Sequence, residues 1–482
     1  LSNILMNKKR QGGRAHVPTD NAPPVLHASR HTMGQVLESS DFMAATTLLP
    51  SLVLAALALA AVTGVRADDN TETWNAHVQG TYVWQRKPGF NAAYSGVNSL
   101  SPDRENAYSL SGTAALGWRP WSGGELYFDP EVVQGVPLSN LTGLGGLTNG
   151  EQQKTSGANP TFYRARLFLR QTWNLGGEQE HVESAANALA GMQDSRRVVL
   201  TAGNMSVLDV FDLNSNAHDP RTQFLNWALT AHGAWDFAAD ARGYTWGAAL
   251  EYFNDDWAFR YGRFLQPAES NGLALETKIF THFGEQVEVA HTHKLGDLPG
   301  TVKLLAFRNR SKMASFNDAV ASASATGAVP DLALARRDQN KHGFGASIEQ
   351  AVSRDAGIFL RGSWNDGQTE TYAFAEIERS IAAGGTVKGR SWNRPKDTVG
   401  VALIGNGLSA AHQRFLAAGG NGQFVGDGRI NYRPEVIGEA YYSLNLVASS
   451  WLTFDVQRIA RPAYNADRGP VTVGSVRLHS EF

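Results

Sequence analysis

The chain has 482 residues, of which 18% are charged and 10% aromatic, with 49 glycines and no cysteine. Apart from one N-terminal stretch it has no apolar run near the ~20 residues that a membrane-crossing helix needs, which excludes a helical membrane bundle. Without cysteine there is no disulfide, thiolate nucleophile or cysteine metal site, and a formal net charge of −2 offers no polybasic surface for nucleic acid.

Residues 44–65 are almost wholly apolar, and Val65-Arg66-Ala67 then places small residues where an A-x-A-type cleavage site needs them. Residues 1–67 therefore read as a signal peptide with an extended N-terminal region, and 68–482 as the folded chain, starting at Asp68. A single membrane anchor is the alternative, because about 22 apolar residues can span a bilayer. The stretch departs from a usual leader: no Lys or Arg lies between Met33 and Ala44, and Lys8, Lys9, Arg10 and Arg14 are far upstream.

The next segment alternates with period two. In 74–85, Trp74, Ala76, Val78, Gly80, Tyr82 and Trp84 share one face, and Asn75, His77, Gln79, Thr81, Val83 and Gln85 the other. Side chains alternate across a strand, so one face suits lipid and the other water. Aromatic rings at both ends of the apolar face suit the two headgroup levels of a membrane. The pattern returns in 108–119, where Tyr108, Leu110, Ala114, Leu116 and Trp118 oppose Ser109, Ser111, Thr113 and Arg119. It returns again in Trp246–Tyr252, in Trp257–Gly262, and in Ala440–Leu446 and Leu452–Gln457. The spacing is about that of a transmembrane strand, 9–11 residues. A large soluble sandwich or propeller also alternates, but would be poorly filled by Gly and Ala in mid-strand. The expected fold class is all-β: a transmembrane antiparallel barrel.

Short connections such as Asn254-Asp255 are interspersed with long ones such as Ser311–Asn340, as periplasmic turns and external loops would be. About seventeen candidate strands can be counted, whereas bacterial single-chain barrels have even numbers, so one is surplus or one is missed. In the last segment Phe482, Ser480, Leu478, Val476 and Gly474 share a face. A final strand with alternating apolar residues and a terminal Phe resembles the assembly signal of outer-membrane barrels, with Ser480 as its one departure.

Three stretches carry a more specific likeness: "ELYFDPEVVQG" at 125–135, "RLFLRQT" at 166–172, and 206–247, which contains "SVLDVFDLNSNAHDPRTQFLNWAL" and "DFAADARGYTWG". With "YRPEVIGEAYYSLN" and "RPAYNADRGPV" in the C-terminal third, the chain resembles the carbohydrate-selective porin family. That resemblance implies a barrel of about sixteen strands in the bacterial outer membrane. It also implies a channel through which small sugars, glucose-like monosaccharides or short oligosaccharides, diffuse without a cofactor or any chemical conversion. A monomer and a homotrimer are both compatible with it.

If Tyr163, Ala165, Leu167 and Leu169 face lipid, then Arg164, Arg166 and Arg170 face the lumen. A guanidinium offers five fixed donors to sugar hydroxyls and its charge repels cations; bracing of folded loops is the plainer role. Glu251 and Arg260 both point to the wet face and are expected to pair. In 209–221 the acids Asp209, Asp212 and Asp219 precede Pro220, and Arg221–Leu229 reads as a short helix with Pro in its first turn. Folded inward, this segment would narrow the pore, with Asp219, Arg221 and Trp227 beside the solute path; a structural plug is the alternative.

Asp129 and Glu131 could suggest a glycosidase pair, but nothing in the sequence sets their separation. His291 and His293 share a strand face without a third metal ligand in view. Three other classes remain to be separated from a channel: an occluded barrel acting as an enzyme, an occluded barrel acting as an adhesin, and a secreted sugar-binding β-protein.

Overall fold

The structure, a computed structural model, describes residues 71–155, 157–374 and 376–482. The apolar stretch 44–65, the cleavage point after Ala67 and the Asp68 start all lie outside the described residues.

Sixteen strands close one antiparallel barrel. They are β1 (Trp74–Lys87), β2 (Glu105–Trp121), β3 (Gly124–Val136), β4 (Gly157–Asn174), β7 (Arg196–Met205), β8 (Thr245–Asn254), β9 (Trp257–Phe264), β10 (Phe283–Leu295), β11 (Leu298–Ala314), β12 (Arg336–Ala351), β13 (Ala356–Asn365), β14 (Arg379–Gly389), β15 (Arg394–Gly407), β16 (Glu435–Val447), β17 (Ser450–Ala460) and β18 (Val471–Glu481). Two short strands, β5 (Gln179–Val182) and β6 (Gly191–Asp194), form a separate hairpin between β4 and β7. The seventeen candidates thus exceeded the barrel by one. β1 closes on β18 from Gln79↔Glu481 to Arg86↔Gly474, and Phe482 extends that seam by exchanging backbone hydrogen bonds with Val78 (2.8 and 2.9 Å). Closure leaves no strand edge to be satisfied in lipid.

The expected faces are found. In β1, β2, β16, β17 and β18 the even-numbered residues point outward and the odd ones into the barrel. Outward residues are apolar and bare, as Phe454 of β17 and, where the odd positions face outward, Val401 and Leu403 of β15 show, all more than half exposed. Outward Trp74, Trp118, Trp173 and Trp257 lie toward one end of the strands, and Trp84 and Trp246 toward the other, as two girdles should. The outward hydroxyl of Ser480, the departure in the terminal signal, is met by the Ser450 hydroxyl at 2.8 Å. His291 and His293 also face outward: His291 stacks on Trp257 (4.3 Å between centroids) and His293 hydrogen-bonds Gln350.

Six of the seven connections at one end are two to four residues long, and all eight at the other end are longer. The stretch expected as the loop Ser311–Asn340 is shorter than that, because β11 runs to Ala314 and β12 starts at Arg336. Between them sits the helix Phe316–Thr326, with Ser315 capping its start and Gly327, at φ +70°, ending it.

β4 departs from regular alternation. Asp129 opposes Arg166 but the next residue, Pro130, opposes Arg164, leaving Ala165 as an extra residue. Proline has no N–H for the ladder, so the partner strand bulges opposite it. The bulge reverses the faces before it. Tyr163, expected outward, donates a hydrogen bond to lumenal Glu131. Arg164, expected in the lumen, is exposed and lies over outward Trp246 at 5.1 Å. Ala165, expected outward, is fully buried. Beyond the bulge Arg166 and Arg170 point inward.

Candidate channel constriction

Two of the long loops fold back into the barrel instead of standing outside it. The second, residues 137–156, is caught by Glu435 of β16, which accepts from the amides of Gly145 (3.1 Å) and Gly146 (2.7 Å). A Cβ at Gly146 would come within 2.6 Å of Ile437 Cδ1, so the Ile437 side chain would have to move to admit any larger residue there.

The third loop, residues 206–244, crosses the lumen and is held from many sides. Ser206 and Asp209 form a capping box at its start. Asp209 then accepts two parallel hydrogen bonds from Arg166 of β4, 2.7 and 2.6 Å, a bidentate geometry that fixes direction as well as distance. Burial opposes ionisation of Asp209, but Arg166 outweighs it and holds the carboxyl below its usual range. Further on, Arg477 of β18 donates to the carbonyls of Pro220 (2.8 Å) and Gln223 (2.6 Å). Glu439 of β16 accepts from the amides of Leu225 (2.5 Å) and Asn226 (3.1 Å). Arg361 of β13 donates to the Leu229 carbonyl (2.6 Å), and Lys341 of β12 pairs with Asp236 at 2.8 Å. A loop buried among strands needs partners for its backbone groups; here charged wall residues supply them.

Arg221 lies at the centre of this bracing. It donates to Glu151 of the second loop (2.8 Å), and to Glu131 (2.7 Å) and Thr113 (3.2 Å) of the wall. Burial opposes ionisation of Glu151, yet Arg221 and Lys154 hold its carboxyl below the usual range. Asp219 accepts from the Arg221 amide (2.9 Å) and the Thr222 hydroxyl (3.1 Å), so it shapes the turn. The helix expected over Arg221–Leu229 is only Trp227–Thr230, capped by Asn226. The Leu225 and Asn226 amides go to Glu439, which ends any helical ladder before it starts. Trp227, half-buried, stacks on Phe374 (4.7 Å) and Phe237 (6.1 Å).

Glu251 and Arg260 pair at 2.7 Å as expected, and Arg260 also reaches Glu288 at 2.8 Å. Arg166 and Arg170 keep 18% and 25% of their side chains exposed within the lumen. Arg166 is flanked by Asp129 (3.2 Å) and by the Tyr244 ring (5.3 Å), and Arg170 by Glu125 (3.6 Å) and the Tyr127 ring (5.2 Å). Asp129 and Glu131, the pair weighed as glycosidase acids, are thus each tied to an arginine. Sequence reasoning did not single out Glu439, Arg477, Arg361, Lys341 or Glu435. Their one visible signal is a charge on the lumenal face of a strand.

The family model for the carbohydrate-selective porin, OprB family, matches residues 115–482. Among solved structures, OprB of Pseudomonas putida is similar with a TM-score of 0.64 at 17% identity, covering 85% of this chain and 94% of that one. The outer membrane channel DcaP of Acinetobacter baumannii is similar with a TM-score of 0.50 at 9% identity, covering 87% of this chain and 100% of that one. At such identities these two likenesses show the barrel alone, and no curated protein matches the chain. The family match over most of the chain, with the closed sixteen-strand barrel, settles what it is: the chain belongs to the carbohydrate-selective porin, OprB family, and is an outer-membrane channel for the diffusion of small carbohydrates.

Proposed function

We propose that the sugar path runs past Arg166 and Arg170, where the third loop meets the β3–β4 wall, and that the channel performs no chemistry. The observation that carries this reading is the state of Arg166. Of its five N–H donors, three serve Asp209 and Asp129. The remaining two, with the partly exposed Arg170, are donors for the hydroxyls of a passing sugar. Each guanidinium is neutralised by a carboxylate, so the passage alternates donors and acceptors and suits a neutral polyol better than an ion. Asp129 and Glu131 act here as acceptors and counter-charges. The apolar outer belt contacts outer-membrane lipid.

A channel must release what it binds, so each contact is weak. A charge-assisted hydrogen bond is worth about 1.5–3 kcal/mol at most. Planar-bilayer recording of the folded protein, with glucose as blocker of the ion current, tests the reading. Changing Arg166 and Arg170 together to Gln should weaken glucose block and raise cation permeability. Unchanged block and unchanged ion selectivity in the double variant would make these arginines structural. A wild-type barrel that conducts nothing would favour an occluded enzyme or adhesin.

A further inference from the structure

On the outer surface of β9–β12 the apolar belt gives way to charge over a single step. Tyr261, Val287, Ala306 and Phe344 lie side by side in the ladder and face outward, all of them exposed. Two residues farther toward the loop end, the same register sets Arg263, Glu285, Arg308 and His342 side by side. Beyond them Arg310 lies opposite Asn340, and Lys312 opposite Asp338. The side chains of Arg308 and Arg310 are 49% and 44% exposed. Their neighbours Phe307, Asn309 and Ser311 are buried inside the barrel, so these cations stand on the membrane side of the wall.

The cluster neutralises itself only in part. Glu285 lies 2.5 Å from Arg308 and 3.4 Å from Arg263. The same two guanidiniums flank the Phe283 ring, at 5.1 and 3.8 Å from its centroid. Asp338 lies 3.7 Å from Arg310 and 3.0 Å from His282, which also approaches Glu276 at 3.6 Å. Arg336 and Arg337, at the start of β12, turn to Glu370 and Asp318. On the outward face Arg263, Arg308, Arg310 and Lys312 are therefore set against two strand carboxylates, Glu285 and Asp338, which leaves positive charge in excess. At the turn end of the same four strands, among the described residues, no Lys or Arg faces outward; Trp257, His291, His293 and Gln350 stand there. The excess charge thus belongs to one side of the membrane.

We propose that this cluster binds the headgroup phosphates of an anionic lipid in the leaflet at the loop end. A guanidinium meets phosphate oxygens through two parallel N–H donors. The cations begin where the apolar belt stops, which is the level of lipid headgroups. The acyl chains of the same lipid then lie along Tyr261, Val287, Ala306 and Phe344. A free phosphate ion gains nothing from that apolar row, so the geometry favours a lipid over a dissolved anion. The site is independent of the sugar path, because these side chains face away from the lumen.

Native mass spectrometry of the folded barrel in dodecyl maltoside, titrated with diphosphoryl lipid A, tests it. Lipid A should bind more tightly than phosphatidylcholine, whose phosphate is balanced by its own cation, and millimolar inorganic phosphate should not displace it. Arg308→Gln combined with Arg310→Gln should weaken lipid A binding roughly thirtyfold, the loss expected for two cations at headgroup level. Lys312→Gln alone should weaken it about fivefold, which keeps the test decisive if the double variant folds poorly. Arg86→Gln combined with Arg458→Gln removes the same charge from exposed positions on β1 and β17, outside the cluster, and should leave binding at the wild-type level. Wild-type binding in the cluster variants, or equal losses in the two double variants, overturns the site. Displacement by inorganic phosphate, or equal affinity for phosphatidylcholine, overturns the anionic lipid as its occupant.

Discussion

Replacing Arg221 by Met keeps most of the side-chain length and removes the charge that joins the third loop to the wall. Arg221 is 6% exposed and serves Glu131, Glu151 and Thr113 at once. Removing one partner of a buried ion pair costs about 3–5 kcal/mol, because the other charge stays behind without compensation. Two groups soften that cost here. Lys154 remains 3.2 Å from Glu151, and the Thr113 and Tyr163 hydroxyls still donate to Glu131. The lower end, about 3 kcal/mol, is therefore expected. At 1.4 kcal/mol per tenfold, that is roughly a hundredfold shift toward states in which this part of the loop has left the wall. The strand ladder is untouched, so the folded protein should stay heat-modifiable, while single-channel traces should become noisy and the mean conductance should rise. Adding Glu131→Gln and Glu151→Gln to Arg221→Met removes the stranded charges and should quieten the trace. An Arg221→Met channel with wild-type noise and conductance would refute the bracing argument.

Arg at outward Val401, midway along β15, should cost about 2–4 kcal/mol in vesicle unfolding experiments, and Arg at Val447, which the bulge after Asn445 turns outward opposite Ser450 at the turn end of β16, about 0–1; equal losses would refute the assigned depth. Deleting Phe482 removes both backbone hydrogen bonds to Val78 at the closing seam, so the heat-modifiable form in the outer membrane should fall sharply. Normal amounts would show that β1 and β18 close without it. Because Asp209 and Glu151 are held below the usual carboxylate range, their grip is complete above about pH 4 and is lost as pH falls through their lower folded values. Conductance should therefore be steady from neutrality to about pH 5 and noisy below about pH 4, and a steady trace throughout acidification would count against these two anchors.

Much of the barrel was legible in the sequence because strand alternation is local. A period of two assigns each residue of 74–85 or 440–446 to a face without knowledge of any partner. Even one lumenal pair could be anticipated: Glu251 and Arg260 sit on consecutive strands joined by a two-residue turn, which fixes them directly opposite each other. The face of Arg164 was misjudged because alternation carries no memory of a bulge, and the proline that causes it, Pro130, lies on the neighbouring strand. The constriction depended on tertiary structure for a stronger reason. Arg221 finds Glu131 and Glu151, and Asn226 finds Glu439, across separations that no periodicity encodes. The β5–β6 insertion at 175–195 has too little alternation to stand out as strand. Its part in the lumen follows from Leu189 burying itself under Tyr127 and from Asn187 reaching Asp129, contacts that exist only once β3 and β4 have closed into a wall.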